Sequence, residues 1–201
     1  MAGPTKTLLV TGFNGFPGMP VNPTARLMER LPKRLPDQVH GVRLDYLVLP
    51  PVWADRMPVI QAQIAKISPD AVVHLGVDGK RRQINIETRA VNQASQIRAD
   101  AAGRRHARAV LDPGGSAVRT ATLPVRAIRA AVARSGAPAA LSANAGDYLC
   151  NAVFWDTLGA GIPAVFVHVP ALPRGRAEQR PSYHAVENAA VNILRDLAMR
   201  L

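Results

Sequence analysis

Lys6-Thr7-Leu8-Leu9-Val10-Thr11-Gly12-Phe13-Asn14-Gly15-Phe16-Pro17-Gly18, followed shortly by Asn22-Pro23, is the stretch on which the fold is read. Residues 6–11 form a short apolar run closed by Gly12, the pattern of a buried strand that ends in a loop. Asn22 has a side-chain oxygen suited to capping a helix, and Pro23 has the fixed φ of a first helical position, so a helix is predicted over residues 23–31. Working outward, residues 41–49 read as a second strand stopped by Pro50-Pro51. Met57, Ile60, Ile64 and Ile67 recur at helical spacing within residues 53–67. Residues 70–75 read as a third strand ending at Gly76. Helices are predicted over residues 124–134 and 183–201, and strands over residues 137–142 and 164–169. This alternation predicts an α/β fold, a parallel sheet with helices on both faces. Function in such sheets gathers beyond the carboxyl ends of the strands, here in the loops 12–22 and 76–88 and in the turn before Cys150. Residues 93–116 lose periodicity and read as a long, partly mobile excursion, and residues 173–177 as a flexible loop.

The composition bounds what the chain can be. With 201 residues and 48% hydrophobic content it supports one packed core, so one domain over residues 1–201 is expected. A single cysteine excludes an intramolecular disulfide and fits a reducing compartment. The apolar run before Gly12 is too short for a signal peptide, and no segment approaches the ~20 apolar residues of a membrane span, so a soluble cytoplasmic protein without membrane contact is expected. The net charge of +11 raises nucleic acid as a partner. Specific nucleic-acid binding is not expected, because the arginine-rich region between Arg98 and Arg134 has no interleaved aromatic residues on which bases would stack.

Cys150 follows the turn Ala145-Gly146-Asp147 and opens a segment in which Tyr148, Val153, Phe154 and Leu158 recur at helical spacing. A thiol there faces the positive end of a helix dipole and free backbone N–H groups, both of which favour the thiolate. The competing reading is a small buried hydrophobe with no chemistry. A nucleophilic cysteine needs a base and a group to orient it. Of the five histidines, His168 lies near the end of the strand after the cysteine's segment, while His74 lies before the Gly76 turn. For the orienting carboxylate, Asp78 and Glu87 are both available, and an exposed Glu87 paired with Arg82 or Arg89 is an equal reading of the local pattern. No ligand cluster has zinc spacing, so neither metal nor cofactor is expected.

Taken together, five segments in order resemble the pyroglutamyl peptidases, cysteine exopeptidases that remove an N-terminal pyroglutamate. They are Thr11-Gly12-Phe13-Asn14-Gly15-Phe16-Pro17-Gly18 with Asn22-Pro23; the block from Gly76 through Gln83 and Glu87 to Ala90-Val91-Asn92; Asp112-Pro113-Gly114-Gly115 with Leu123-Pro124; Ala145-Gly146-Asp147-Tyr148-Leu149-Cys150-Asn151; and Phe166-Val167-His168-Val169-Pro170-Ala171-Leu172-Pro173. The resemblance implies a single-domain three-layer α/β/α sandwich with a mostly parallel central sheet. It implies Cys150 as nucleophile, His168 as general base and acid, and Glu87 as the carboxylate orienting the imidazole. It also implies a lactam pocket formed by Phe13, Phe16 and Gln83, with Tyr148 and Leu149 beside the cysteine. Peptides with an N-terminal pyroglutamate are the implied substrates, and a homo-oligomer, tetramer or dimer, is carried over from the family. Three departures stand out. Thr88 occupies the place after Glu87 where the family usually has arginine. Gly15 and Pro17 stand where it usually has proline and glycine, and residues 93–116 lack its usual proline and acidic pattern. They motivate an alternative, a binding protein of the same fold that has lost hydrolysis.

Overall fold

The computed structural model describes residues 5–173, 175 and 179–201, so Arg174, Arg176 and Ala177 of the loop read at 173–177 lie outside the described residues. The elements run β1 (Thr7–Phe13), α1 (Pro23–Arg34), β2 (Gln38–Val39), β3 (Val42–Leu49), α2 (Arg56–Ile67), β4 (Ala71–Asp78), β5 (Ile84–Glu87), β6 (Arg89–Val91), β7 (Val118–Thr120), α3 (Val125–Ala133), β8 (Ala139–Ser142), α4 (Leu149–Gly159), β9 (Ala164–Pro170) and α5 (Tyr183–Ala198). Seven strands form one sheet in the order β2-β3-β1-β4-β9-β5-β8, and β6 and β7 make a separate antiparallel pair.

The central strands β3, β1, β4 and β9 are mutually parallel. β5 turns against β9 and carries β8 parallel to itself. Strands β1 and β9 are buried along their whole length, as strands covered on both faces must be. Side-chain alternation divides them between two cores. Leu8, Val10 and Val73 pack with Leu27 and Leu31 of α1, Ile128 of α3 and Ile193 and Leu194 of α5. Leu9, Val72 and Phe166 pack with Ile60 of α2 and Val153, Phe154 and Trp155 of α4. The result is the three-layer α/β/α sandwich.

Three local differences from the sequence reading matter for function. β4 continues past Gly76 to Asp78. The supposed loop 76–88 contains β5, which brings Glu87 inside the sheet. Residues 93–116 carry no regular element of their own but are tied down by polar contacts. Asp100 is fully buried and accepts from the backbone N–H groups of Trp53, Ala102 and Arg104. Asn92 accepts from those of Leu111 and Asp112. A segment held by backbone hydrogen bonds needs no apolar periodicity. Among the described residues no helix is long and apolar enough to cross a membrane.

The opening strand–loop–helix unit forms as its residues dictate. Asn22 accepts from the Thr24 N–H at 3.0 Å and donates to the Asn14 carbonyl at 3.1 Å, so the cap of α1 also fixes the loop. Thr24 in turn accepts from the Phe13 N–H at 3.0 Å. Phe16 and Met19 exchange two backbone hydrogen bonds around Pro17-Gly18, with Gly18 at φ +87°. Proline then glycine is the sequence that such a turn calls for, so Pro17 is compatible with an ordered loop.

Candidate active site

β9 presents Phe166 and His168 on one face, and antiparallel β5 sets Glu87 opposite Phe166 and Asn85 opposite His168, so all four side chains share that face. The diagonal from His168 to Glu87 closes as a hydrogen bond, Nδ1 to Oε1 at 2.9 Å, with both residues buried. The Cys150 side chain also interacts with the imidazole and favours its protonated form, and both reach the same cavity. Burial lowers the affinity of His168 for a proton, but the hydrogen bonds and negative charges of Cys150 and Glu87 outweigh it and raise its pKa to about 9. An imidazolium is the counter-ion that a nucleophilic sulfur needs.

Cys150 is the second residue of α4, whose cap, Tyr148, gives no side-chain bond to the helix N–H groups. The first N–H groups of a helix have no partner within it, so those around Cys150 stand ready as donors. Asn151, buried, fixes this helix start: it accepts from the Val91 N–H at 2.9 Å and donates to the carbonyls of Val91 and Gln93. Gly76 of β4 lies beside His168 in the sheet register, and a Cβ there would sit 2.9 Å from the Cys150 sulfur. The absence of a side chain at residue 76 is what admits the thiol.

A cavity of about 530 Å³ opens beside the sulfur. Phe13, Phe16, Met19, Val77, Tyr148 and Leu149 give its wall an apolar character, and Cys150 and His168 reach into it. Phe13 is buried against Phe166, and Phe16 leans on Tyr148 with ring centres 6.2 Å apart. Tyr148 is held in turn by a hydrogen bond from its hydroxyl to the Ala99 carbonyl, so the 93–116 excursion forms part of the pocket's support.

Of the residues singled out in the sequence, Cys150, His168 and Glu87 come together, and Phe13, Phe16, Tyr148 and Leu149 line the adjoining cavity. Gln83 does not line it; Val77 does, because β4 extends past Gly76. The alternatives left open by the sequence occupy other roles. His74 is fully buried between two threonines: Thr157 donates its hydroxyl to the Val153 carbonyl and so accepts from Nε2–H of His74 at 3.0 Å, while Nδ1 accepts from Thr11 at 2.8 Å. Burial pushes its pKa down to about 3, so it is a neutral core histidine. Asp78 accepts from the Lys80 N–H and from Arg81 rather than from His168. Arg89, next to Thr88, donates to the Ala143 carbonyl. The cation near Glu87 is Arg81, 3.5 Å from Oε1 and anchored by Asp78, Ser142 and the Asn144 carbonyl. Nothing in the run Lys80-Arg81-Arg82 marks the middle residue; only the fold selects it. Among the described residues no group of three or more His, Cys, Asp or Glu side chains is arranged to hold a metal ion.

Residues 6–195 match the model of the family described as pyroglutamyl peptidase. The chain belongs to the pyroglutamyl peptidase family. It is 35% identical over 199 residues to the pyrrolidone-carboxylate peptidase of Gloeobacter violaceus, covering 96% of this chain and 94% of that protein. To the pyrrolidone-carboxylate peptidase of Escherichia fergusonii it is 31% identical over 177 residues, 86% of this chain and 81% of that one. Its structure is similar to that of pyroglutamyl peptidase I from Bacillus amyloliquefaciens, with a TM-score of 0.86, 26% identity and coverage of 96% and 97% of the two chains. It is also similar to the pyrrolidone carboxyl peptidase from Thermus thermophilus, with a TM-score of 0.80, 30% identity and coverage of 94% and 99%.

Proposed function

We propose that this chain is a cysteine exopeptidase that hydrolyses the bond after an N-terminal pyroglutamate, with Cys150 as nucleophile, His168 as general base and acid, and Glu87 as the residue that orients the imidazole. The observation that carries the reading is a buried His168 hydrogen-bonded to Glu87 and sharing with Cys150 the lining of a cavity walled by two phenylalanines.

The thiolate of Cys150 attacks the pyroglutamyl carbonyl, forming a C–S bond while the carbonyl oxygen takes up negative charge. Backbone N–H groups at the start of α4 stabilise that oxyanion. His168 gives its proton to the departing amine, and the C–N bond breaks to leave a thioester. His168 then takes a proton from water, which attacks the thioester and releases pyroglutamate. The lactam carries no charge, so Phe13 and Phe16 can bury its ring at little cost; an ordinary charged N-terminus would lose its hydration there without a partner. The departure at Thr88 is met by Arg81 on the same carboxylate, so it does not argue for a loss of hydrolysis. The reduced thiol that the reaction requires suits a cytoplasmic location.

The test is turnover of a pyroglutamyl-linked fluorogenic amide by the folded wild type and by Cys150→Ala. Release by the wild type alone supports the reading. A folded wild type with no turnover removes it.

A further inference from the structure

We propose that the leaving-group side of this site selects a carboxylate on the residue that follows pyroglutamate. The inference rests on the exopeptidase reading above and adds a substrate class to it.

With the lactam ring against the phenylalanines and its carbonyl at Cys150, the rest of the peptide leaves along the polar part of the cavity. That part carries four charged residues, Asp78, Lys80, Arg98 and Asp147. Of the two acids, Asp78 is engaged and Asp147 only weakly. Asp78 accepts from the Lys80 N–H and from Arg81, both at 3.0 Å. Asp147 lies 3.8 Å from Arg98, with both side chains half exposed, a distance and exposure at which an ion pair is weak.

The cations keep free capacity. Lys80 is exposed, and its ammonium has no ion-pair or hydrogen-bond partner among the described residues. Its backbone is nevertheless fixed, because the turn around it is closed by Asp78 and by Arg180 donating to the Gly79 carbonyl at 2.8 Å. Arg98 is held with its guanidinium 4.2 Å from the centre of the Tyr148 ring, which keeps it on the cavity wall while most of its N–H donors remain available.

The surroundings reinforce the sign. Arg104, Arg105 and Arg108 are exposed on the same excursion as Arg98; of its two acids, Asp100 is buried and taken by three backbone N–H groups, and the exposed Asp112 accepts from the Gly114 N–H. The excursion is tied to the site by the Ser95 N–H donating to the Asp147 carbonyl and by Tyr148 donating to that of Ala99. Among the described residues, a carboxylate leaving past this rim meets the unpaired Lys80 ammonium and the Arg98 guanidinium, opposed only by Asp147, which Arg98 itself holds weakly. A lysine there is repelled.

Two sources supply that carboxylate, an acidic side chain in the residue after pyroglutamate or the α-carboxylate of a pyroglutamyl dipeptide. The experiment compares kcat/KM for pyroglutamyl-Glu, -Gln and -Lys with amidated ends, and for pyroglutamyl-Ala as free acid and as amide, at about 0.02 M and about 0.5 M salt. The order Glu, Gln, Lys is expected, with a Glu-to-Lys ratio of about tenfold at low salt that collapses at high salt. In folded Lys80→Glu or Arg98→Gln protein the ratio shrinks or inverts. A preference confined to the free-acid dipeptide identifies the chain terminus as the group read, and one shared with the Glu amide identifies the side chain; both support the proposal. Cleavage of the Gln peptide with Glu and Lys within about twofold of it, or a ratio that neither salt nor Lys80→Glu moves, overturns the proposal while leaving the exopeptidase reading intact. Cleavage of none of the peptides removes both.

Discussion

Replacing Gly76 by alanine tests the geometry of the site with a single methyl group. The added Cβ would stand 2.4 and 2.7 Å from two ring carbons of Phe166 and 2.9 Å from the Cys150 sulfur. Non-bonded carbons settle at about 3.5–4.0 Å, so the methyl is about 1 Å too close on two sides. Phe166 has little freedom to retreat. It is fully buried, and its ring centre lies 4.6 Å from that of His168, 5.9 Å from His74, 6.1 Å from Phe154 and 6.4 Å from Phe13. The strain is therefore relieved where packing is looser, at the sulfur facing the cavity. Overpacking of this kind costs about 1–3 kcal/mol of stability. A displacement of about 1 Å at a reacting atom costs about 10²-fold in rate. Turnover of a pyroglutamyl amide, the rate of Cys150 alkylation by iodoacetamide and urea unfolding are measured together, with Gly114→Ala as control because its Cβ would have no neighbour closer than 3.9 Å. The expectation is a large loss of turnover and slower alkylation in a folded but weakened protein. A Gly76→Ala enzyme with wild-type turnover and stability would refute the reasoning that residue 76 is empty to make room for the thiol.

Glu87→Gln replaces the charge on Nδ1 of His168 with a neutral amide, so kcat is expected to fall by about 10²–10⁴-fold with KM little changed, read from Michaelis curves. Arg81→Met removes the guanidinium near Glu87 and the tie to Asp78 together, and about a tenfold loss of kcat/KM with a shifted pH profile is expected. His168 also links stability to pH. Its folded-state pKa is raised from 6.5 to about 9, so its stabilising contribution is complete below about 6.5 and is lost as pH rises through about 9. Urea midpoints should decline over that window in the wild type and decline less in His168→Ala. His74 works in the opposite sense: its pKa is lowered to about 3, so the stability present above about 6.5 is lost as pH falls toward 3, and His74→Phe should flatten that acid limb.

The elements that the sequence made legible are those whose hydrogen bonds and burial follow one rule along their length. β1, β4 and β9 are apolar runs covered on both faces, and α1 starts where Asn22 and Pro23 say it must. β5 escaped because its four residues obey two rules at once. Ile84 and Ile86 face the core shared with α3 and α5, while Asn85 and Glu87 face the site. A buried carboxylate looks like a loop residue until its partner is known, and that partner lies 81 residues away on β9. Arg81, only six residues from Glu87, was hidden instead by its neighbours Lys80 and Arg82, which are cations in the same run, and Gln83 lies outside the cavity while Val77 lines it because β4 runs on past Gly76.

The choice between His74 and His168 shows most directly what a motif supplies and what register adds. Both histidines sit on adjacent parallel strands, and both face the layer that contains α4. His74 pairs with Phe166 and His168 with Gly76, so the two imidazoles are displaced by one pleat along the sheet. At the inner position an imidazole meets Thr11 and Thr157, which satisfy a neutral ring, and burial then removes its charge. One pleat farther toward the strand ends, an imidazole meets Glu87 and the first turn of α4, where the carboxylate and the sulfur hold the charge that burial would otherwise expel. The same residue type on the same sheet face is thus neutral or charged according to whether its neighbours are hydroxyls or anions, and that is fixed by the pairing of β4, β9 and β5.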